Sequence, residues 1–269
     1  MQDIMLFHYT NLKNLKSIFT SGYIRLTDIT KSNDPAEGTF ALDMLRKALK
    51  ELNRYEKMDI SAYEKLSLAY FAFLDKEKAY ERFNQVMLTL SFSGSKNRLA
   101  MWRLYGDNGM GAAIGISSKT LNKIAENEGF EFKKVEYLSE GDMQNRAEAF
   151  WLENMDKCDE DIQKAIEKFY LDGYFIKREE NAFEQEWRII YEGLSLESYG
   201  IFPHNVPKEI DFEVKRDDIV LFYNLPANEV IENVFFGPNC KVKGKEIKLV
   251  IDKYLNGKCT YENDWIVMR

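Results

Sequence analysis

The chain reads as an α+β protein with a mixed, largely antiparallel β core and helical insertions. Three observations support this. Short apolar and aromatic runs of strand length recur from Met5 to the C-terminal third; amphipathic helical patterns interrupt them at about 37–85 and 141–178; and no Pro/Gly/Ser-rich linker divides them. A single domain over 1–269 carrying two insertions is the resulting expectation.

The elements follow in order. Met5–Tyr9 has the aromatic content of a short buried strand, with Thr10 as a candidate helix cap. Leu12, Leu15, Ile18 and Phe19 recur at helical spacing, and Gly22 stands where a left-handed residue ends a helix. Tyr23–Thr27 is a second strand. Asp28 to Gly38, with Asn33-Asp34-Pro35, is a loop. Helices are expected over about 37–52 and 61–86, a strand over 86–92, a short helix over 99–105, a strand over 112–116, a helix over 121–128 and one strand over 130–138. A long helix or helix pair spans the second insertion, and a Glu-rich strand follows at 184–192. Pro203 and Pro207 punctuate a loop. Strands near 210–214, 218–223 and 230–236, a helix near 245–255 and a strand near 260–267 complete the chain.

Composition narrows the function classes. Apolar residues make up 45% of the chain, enough for a sizeable core. A net charge of −7 gives no general attraction to nucleic acid or anionic membrane, and the one dense basic run, Lys241 to Lys245, reads as a turn entering a helix. No stretch of about 18 apolar residues spans a membrane. The N-terminus shows no signal-peptide pattern. Cys158, Cys240 and Cys259 match no metal-ligand spacing, so a cytoplasmic protein with free thiols is expected.

The sharpest local feature is Phe183-Glu-Gln-Glu-Trp-Arg188. In a strand, Glu184, Glu186 and Arg188 share one face. The pair of carboxylates then either lines a cleft or forms an exposed ion pair with Arg188 worth about 0–1 kcal/mol. His8 ends an apolar strand before a helix N-terminus, where anions and ribose hydroxyls are favoured; a satisfied structural histidine is the alternative. Ser91 and Ser93 share one face of the third strand. Met101, Trp102 and Tyr105 stand at helical spacing beside Gly106. Glu213-Val214-Lys215 also fits the carboxylate–lysine pattern of Mg²⁺-dependent nucleases.

Taken in order, Phe7-His8-Tyr9-Thr10, Asn33-Asp34-Pro35 with Glu37, Ser91-Phe92-Ser93, Met101-Trp102 with Tyr105-Gly106, Glu184 to Arg188 and Phe236-Gly237-Pro238 resemble a widespread bacterial family described only as a domain of unknown function. The opening His-Tyr-Thr, short helix and Gly also resemble the first segment of the ADP-ribosyltransferase superfamily. That resemblance implies an ADP-ribosyltransferase-like fold and NAD as substrate, with ADP-ribose passed to a protein, a nucleic acid or water. It also implies a toxin or phage-defence role. It puts His8, Tyr9, Thr10, Asn33, Asp34, Ser91, Ser93 and Tyr105 around NAD, Glu186 on the nicotinamide ribose and Glu184 on the acceptor. A non-catalytic nucleotide- or protein-binding module of the same fold is the alternative.

Overall fold

The computed structural model describes residues 2–29, 39–79, 85–195, 209–215, 218–242, 244–255 and 259–263. Asn33, Asp34, Pro203 and Pro207 lie outside them. Ten strands form one mixed, mainly antiparallel sheet. Its ordered path begins with β12 (Thr260–Asn263), β11 (Asn233–Phe236), β4 (Ala112–Ser117) and β1 (Met5–Thr10), and continues through β3 (Gln85–Ser93), β2 (Tyr23–Asp28), β10 (Asp218–Pro226) and β9 (Ile210–Lys215). β8 (Glu186–Ser195) pairs with β3, and β5 (Glu131–Lys134) pairs with β8.

β3 is the branch point. One edge pairs with β8 from Gln85 to Ser93, with a register shift between Val86 and Met87. The other edge is shared: Phe7 of β1 pairs with Ser93 at one end, and Thr27 and Asp28 of β2 pair with Thr89 and Leu88 at the other. Between them the ladder is interrupted over Leu90–Phe92. β1 and β2 are joined by α1 (Leu12–Ser21), which therefore straddles the gap. The helix stops at Gly22, which takes φ 76°, ψ 11° and donates its N–H to the Ile18 carbonyl, the αL ending that only glycine adopts without cost. Its N-cap is Asn11, whose side chain accepts from the Asn14 N–H at 2.7 Å. Thr10, the expected cap, is instead the last residue of β1, paired with Ala112.

The sheet core gathers Leu6, Leu15, Phe19, Leu90, Ile114 and Ile189. A second core lies among α2 (Thr39–Arg54), α3 (Ile60–Ala79), α6 (Glu140–Asn154) and α7 (Asp159–Gly173), which are the two stretches read as helical insertions. Trp151 of α6 is fully buried there and donates Nε1–H to the Leu45 carbonyl at 2.8 Å. Two further helices flank the sheet, α5 (Ser118–Glu128) and α9 (Gly244–Tyr254), and α8 (Ala227–Val230) is a single turn.

Two further expectations are corrected. The single strand over 130–138 is two: β5 joins the large sheet, whereas β6 (Glu136–Leu138) pairs in parallel with β7 (Ile176–Arg178) in a separate two-stranded sheet. The break falls at Val135, whose N–H goes to the Glu186 carbonyl. β7 itself emerges at the end of the second helical stretch. Glu184 is also not in a strand. It ends a 3₁₀ turn, Glu179–Glu184, and Gln185 follows in the left-handed region at φ 46°, ψ 48° before β8 begins at Glu186.

Candidate functional site

The interrupted edge of β3 opens into a cleft of about 900 Å³, at the upper end of the roughly 300–1,000 Å³ usual for small-molecule sites. Pairing across the sheet explains its composition. Antiparallel partners point the same way, so Phe7, Ser93 and Glu186 share one face, together with Ser91 and Arg188. His8 is therefore on the other face, where its ring lies edge-on to Phe92 at 6.2 Å. Because the ladder is broken here, the cleft takes side chains from both faces. His8, Tyr9, Thr10, Ser91, Ser93, Tyr105, Glu184 and Glu186 all line it. So do the polar face of α1, with Lys13, Asn14, Ser17 and Ser21, and, farther along, Arg25 and Glu213.

His8 Nδ1 lies 3.0 Å from the Ser91 carbonyl, which accepts only; Nδ1 therefore carries the proton and Nε2 keeps a lone pair. Burial lowers the imidazole pKa, against the opposing bond to Ser91, so the ring is neutral at neutral pH. Tyr9 is held by its hydroxyl, which donates to the Ser95 carbonyl at 2.9 Å. Tyr105 stands at the end of the short helix α4 (Leu99–Leu104), 38% exposed, and donates to Glu184 Oε1 at 2.7 Å. Ser93 Oγ donates to the Glu184 carbonyl at 2.6 Å, and the Gly94 N–H to the Gln185 carbonyl at 2.9 Å. These two bonds pin the left-handed turn that brings Glu184 alongside Glu186.

The carboxylates meet at Lys177 of β7. Its ammonium is 2.9 Å from Glu184 Oε2 and 2.9 Å from Glu186 Oε2. Arg188, 1% exposed, grips Glu186 with Nε at 2.6 Å and Nη2 at 3.1 Å, and Nη1 donates to the Tyr174 carbonyl at 2.6 Å. Both glutamates are 5% exposed. The sequence alternatives were a lined cleft or an exposed pair with Arg188. The pairing with Arg188 exists, but it is buried, and a lysine distant in sequence completes it. Lys177 and Tyr137, whose hydroxyl accepts the Glu186 N–H at 2.8 Å, are the site residues the sequence reading missed. The one local signal for Lys177 is a lysine directly after the apolar Tyr174-Phe175-Ile176.

Burial pushes the Glu186 carboxyl up, but Arg188 and Lys177 outweigh it and hold the group below the ordinary carboxylate range. For Lys177 burial works downward, and the attraction of Glu186 and Glu184 prevails and raises it. Burial also lifts the Tyr137 hydroxyl to about 12. A depressed carboxyl contributes stability that is complete above its unfolded pKa of about 4.5 and is lost as pH falls through the lower folded value. Acid unfolding followed by circular dichroism is therefore expected to begin below about pH 4.5, and to begin at higher pH once Glu186 is replaced by Gln.

Glu213 pairs with Arg25 at 3.3 Å on the exposed β9–β2 side of the cleft, and the Lys215 side chain lies outside the described residues. Among the described residues, no group of three His, Cys, Asp or Glu side chains is arranged to hold a metal, and no helix is long and apolar enough to cross a membrane. No curated protein and no solved structure matches the chain. One family model does match, over a stretch that runs from α4 into β8 and contains Trp102, Tyr105, Lys177 and both carboxylates but neither His8 nor the Ser91-Phe92-Ser93 run. Residues 101–189 match the model of a family described as a protein of unknown function (DUF2971).

Proposed function

We propose that this cleft binds NAD as a substrate and breaks its nicotinamide–ribose bond, passing ADP-ribose to a macromolecular acceptor or to water. The observation that carries the reading is that His8, the Ser91–Ser93 run and the Glu184/Glu186 pair, remote in sequence, line one cleft of dinucleotide size. Its lining is rich in hydroxyls and amides, including Asn11, Asn14, Ser17 and Thr27, which suit ribose and phosphate oxygens. The neutral His8, its Nδ1 proton committed to Ser91, offers Nε2 as an acceptor to a ribose hydroxyl.

Departure of nicotinamide takes the bonding electron pair onto the ring nitrogen and leaves oxocarbenium character on the ribose. A preorganised carboxylate stabilises that charge as it develops. The reading is tested by nicotinamide release from NAD, measured with water and with protein and nucleic-acid acceptors. Wild type is expected to release nicotinamide, and His8→Ala to do so at least about tenfold more slowly. Absence of release with every acceptor would remove the catalytic reading.

One observation favours a second reading, that of a non-catalytic nucleotide-binding module: Glu186 is already neutralised by two cations. Saturable NAD binding without turnover would select it.

A further inference from the structure

Glu184 and Glu186 are equally buried, but they are not electrostatically equivalent. Glu186 faces a full guanidinium through two contacts and, in addition, shares the Lys177 ammonium. Glu184 shares that ammonium, and its other side-chain contact is the neutral phenol of Tyr105 on the cleft wall. A carboxylate between two cations presents little residual negative potential to a third, and a developing cation beside it also meets the field of Arg188 and Lys177. The chain geometry points the same way. Glu186 is the first residue of β8, paired with Ser93 of β3 and bonded through its carbonyl to the Val135 N–H, whereas Glu184 is presented at the end of a 3₁₀ turn by the left-handed Gln185.

We infer that Glu184, not Glu186, is the carboxylate that meets the positive charge of the substrate, and that Glu186 with Arg188 is a positioning ion pair that fixes Lys177 and the turn. The reaction in which it acts rests on the NAD reading above. In that reaction the C1′–N bond breaks with its electron pair leaving on nicotinamide. The acceptor oxygen or nitrogen forms the new bond to C1′, and its proton passes to Glu184 and then to solvent. The resemblance by itself gives the ribose to Glu186 and only the acceptor to Glu184; the charge arrangement gives both tasks to Glu184.

The test is titration calorimetry of the full chain with the 1-methylnicotinamide cation, run beside nicotinamide release from NAD. Folding of each variant is checked by circular dichroism. Wild type and the Glu186→Gln/Arg188→Met double variant are expected to bind the cation with affinities within about tenfold, and Glu184→Gln to lose about tenfold or more. Release is expected to fall about 10²–10³-fold in Glu184→Gln. If the double variant does not fold, Arg188→Lys takes its place, and cation binding is again expected to persist. Cation binding that depends on Glu184, with no release by wild type, removes the NAD reading and leaves the assignment standing. A wild type that does not bind the cation, binding that survives Glu184→Gln, or binding lost in the folded double variant or in Arg188→Lys overturns it.

Discussion

Replacing Arg188 by Gln is expected to destabilise the protein by about 3–5 kcal/mol, among the largest effects of any single change in the chain. The guanidinium is 1% exposed, so no water takes over its role. Without it, Glu186 keeps Lys177 as its only cation among the contacts described, and the Tyr174 carbonyl loses the Arg188 N–H. Two carboxylates then share one ammonium in a site nearly closed to solvent. At roughly 2–4 °C per kcal/mol for a chain of this size, the melting temperature falls by on the order of 10 °C. Because the pair is buried, added salt is expected to change this difference little. A loss below about 1 kcal/mol would mean that the pair behaves as an exposed one, as the strand pattern alone allows. Calorimetric or denaturant unfolding of the two proteins decides it.

Trp102→Ala is expected to cost a similar amount, about 3–5 kcal/mol, with a different consequence. Trp102 is fully buried, packs edge-on against Tyr9 with ring centroids 4.9 Å apart, and donates Nε1–H to the Lys96 carbonyl at 3.0 Å. Gly106 and Gly237 leave the room it fills: a Cβ at Gly106 would stand 2.5 Å from its ring, and one at Gly237 2.9 Å. The indole thus ties α4 to β1 and to the chain after β11. Met101 and Tyr105, its neighbours in sequence, line the cleft. Truncation therefore loosens the wall that holds Tyr105 against Glu184. Loss of stability is expected together with weakened NAD binding, whereas Trp102→Phe retains most of both, because it keeps the ring packing and loses chiefly one hydrogen bond of about 1 kcal/mol. Unfolding curves and NAD titrations on the same two variants check this.

The parts of the fold that are local in sequence could be read from it. Gly22 ends α1 because the chain needs a left-handed residue there, and the alternating and helical apolar patterns gave the strands and helices of the core to within a few residues. What failed depended on partners far away. The run 130–138 looks like one strand because its residue types suit one. Its division at Val135 arises because the two halves find different partners, β8 for Glu131–Lys134 and β7 for Glu136–Leu138. The strand pattern that puts Glu184 and Glu186 on one face does not apply, because Glu184 lies in the 3₁₀ turn before β8. The two carboxylates meet all the same, because Gln185 adopts the left-handed conformation and Lys177 draws them together. The apolar run before Lys177 marks the lysine but not its two glutamate partners, since β7 is three residues long and follows a helix. The gap in β3 that makes the cleft is likewise a matter of pairing, and no single segment encodes it.

The proposed NAD chemistry requires the gap between β1 and β2 along β3, bridged by α1, to accept a dinucleotide. Titration calorimetry of NAD into the full chain, wild type against Ser17→Trp, measures this. Ser17 is exposed on the cleft face of α1 and its hydroxyl bonds to the Lys13 carbonyl of the preceding turn, so an indole there fills the cleft without disturbing the core. Saturable binding by wild type and its loss in an equally stable Ser17→Trp is the expected result. No binding by wild type, or equal binding by both proteins, would contradict it.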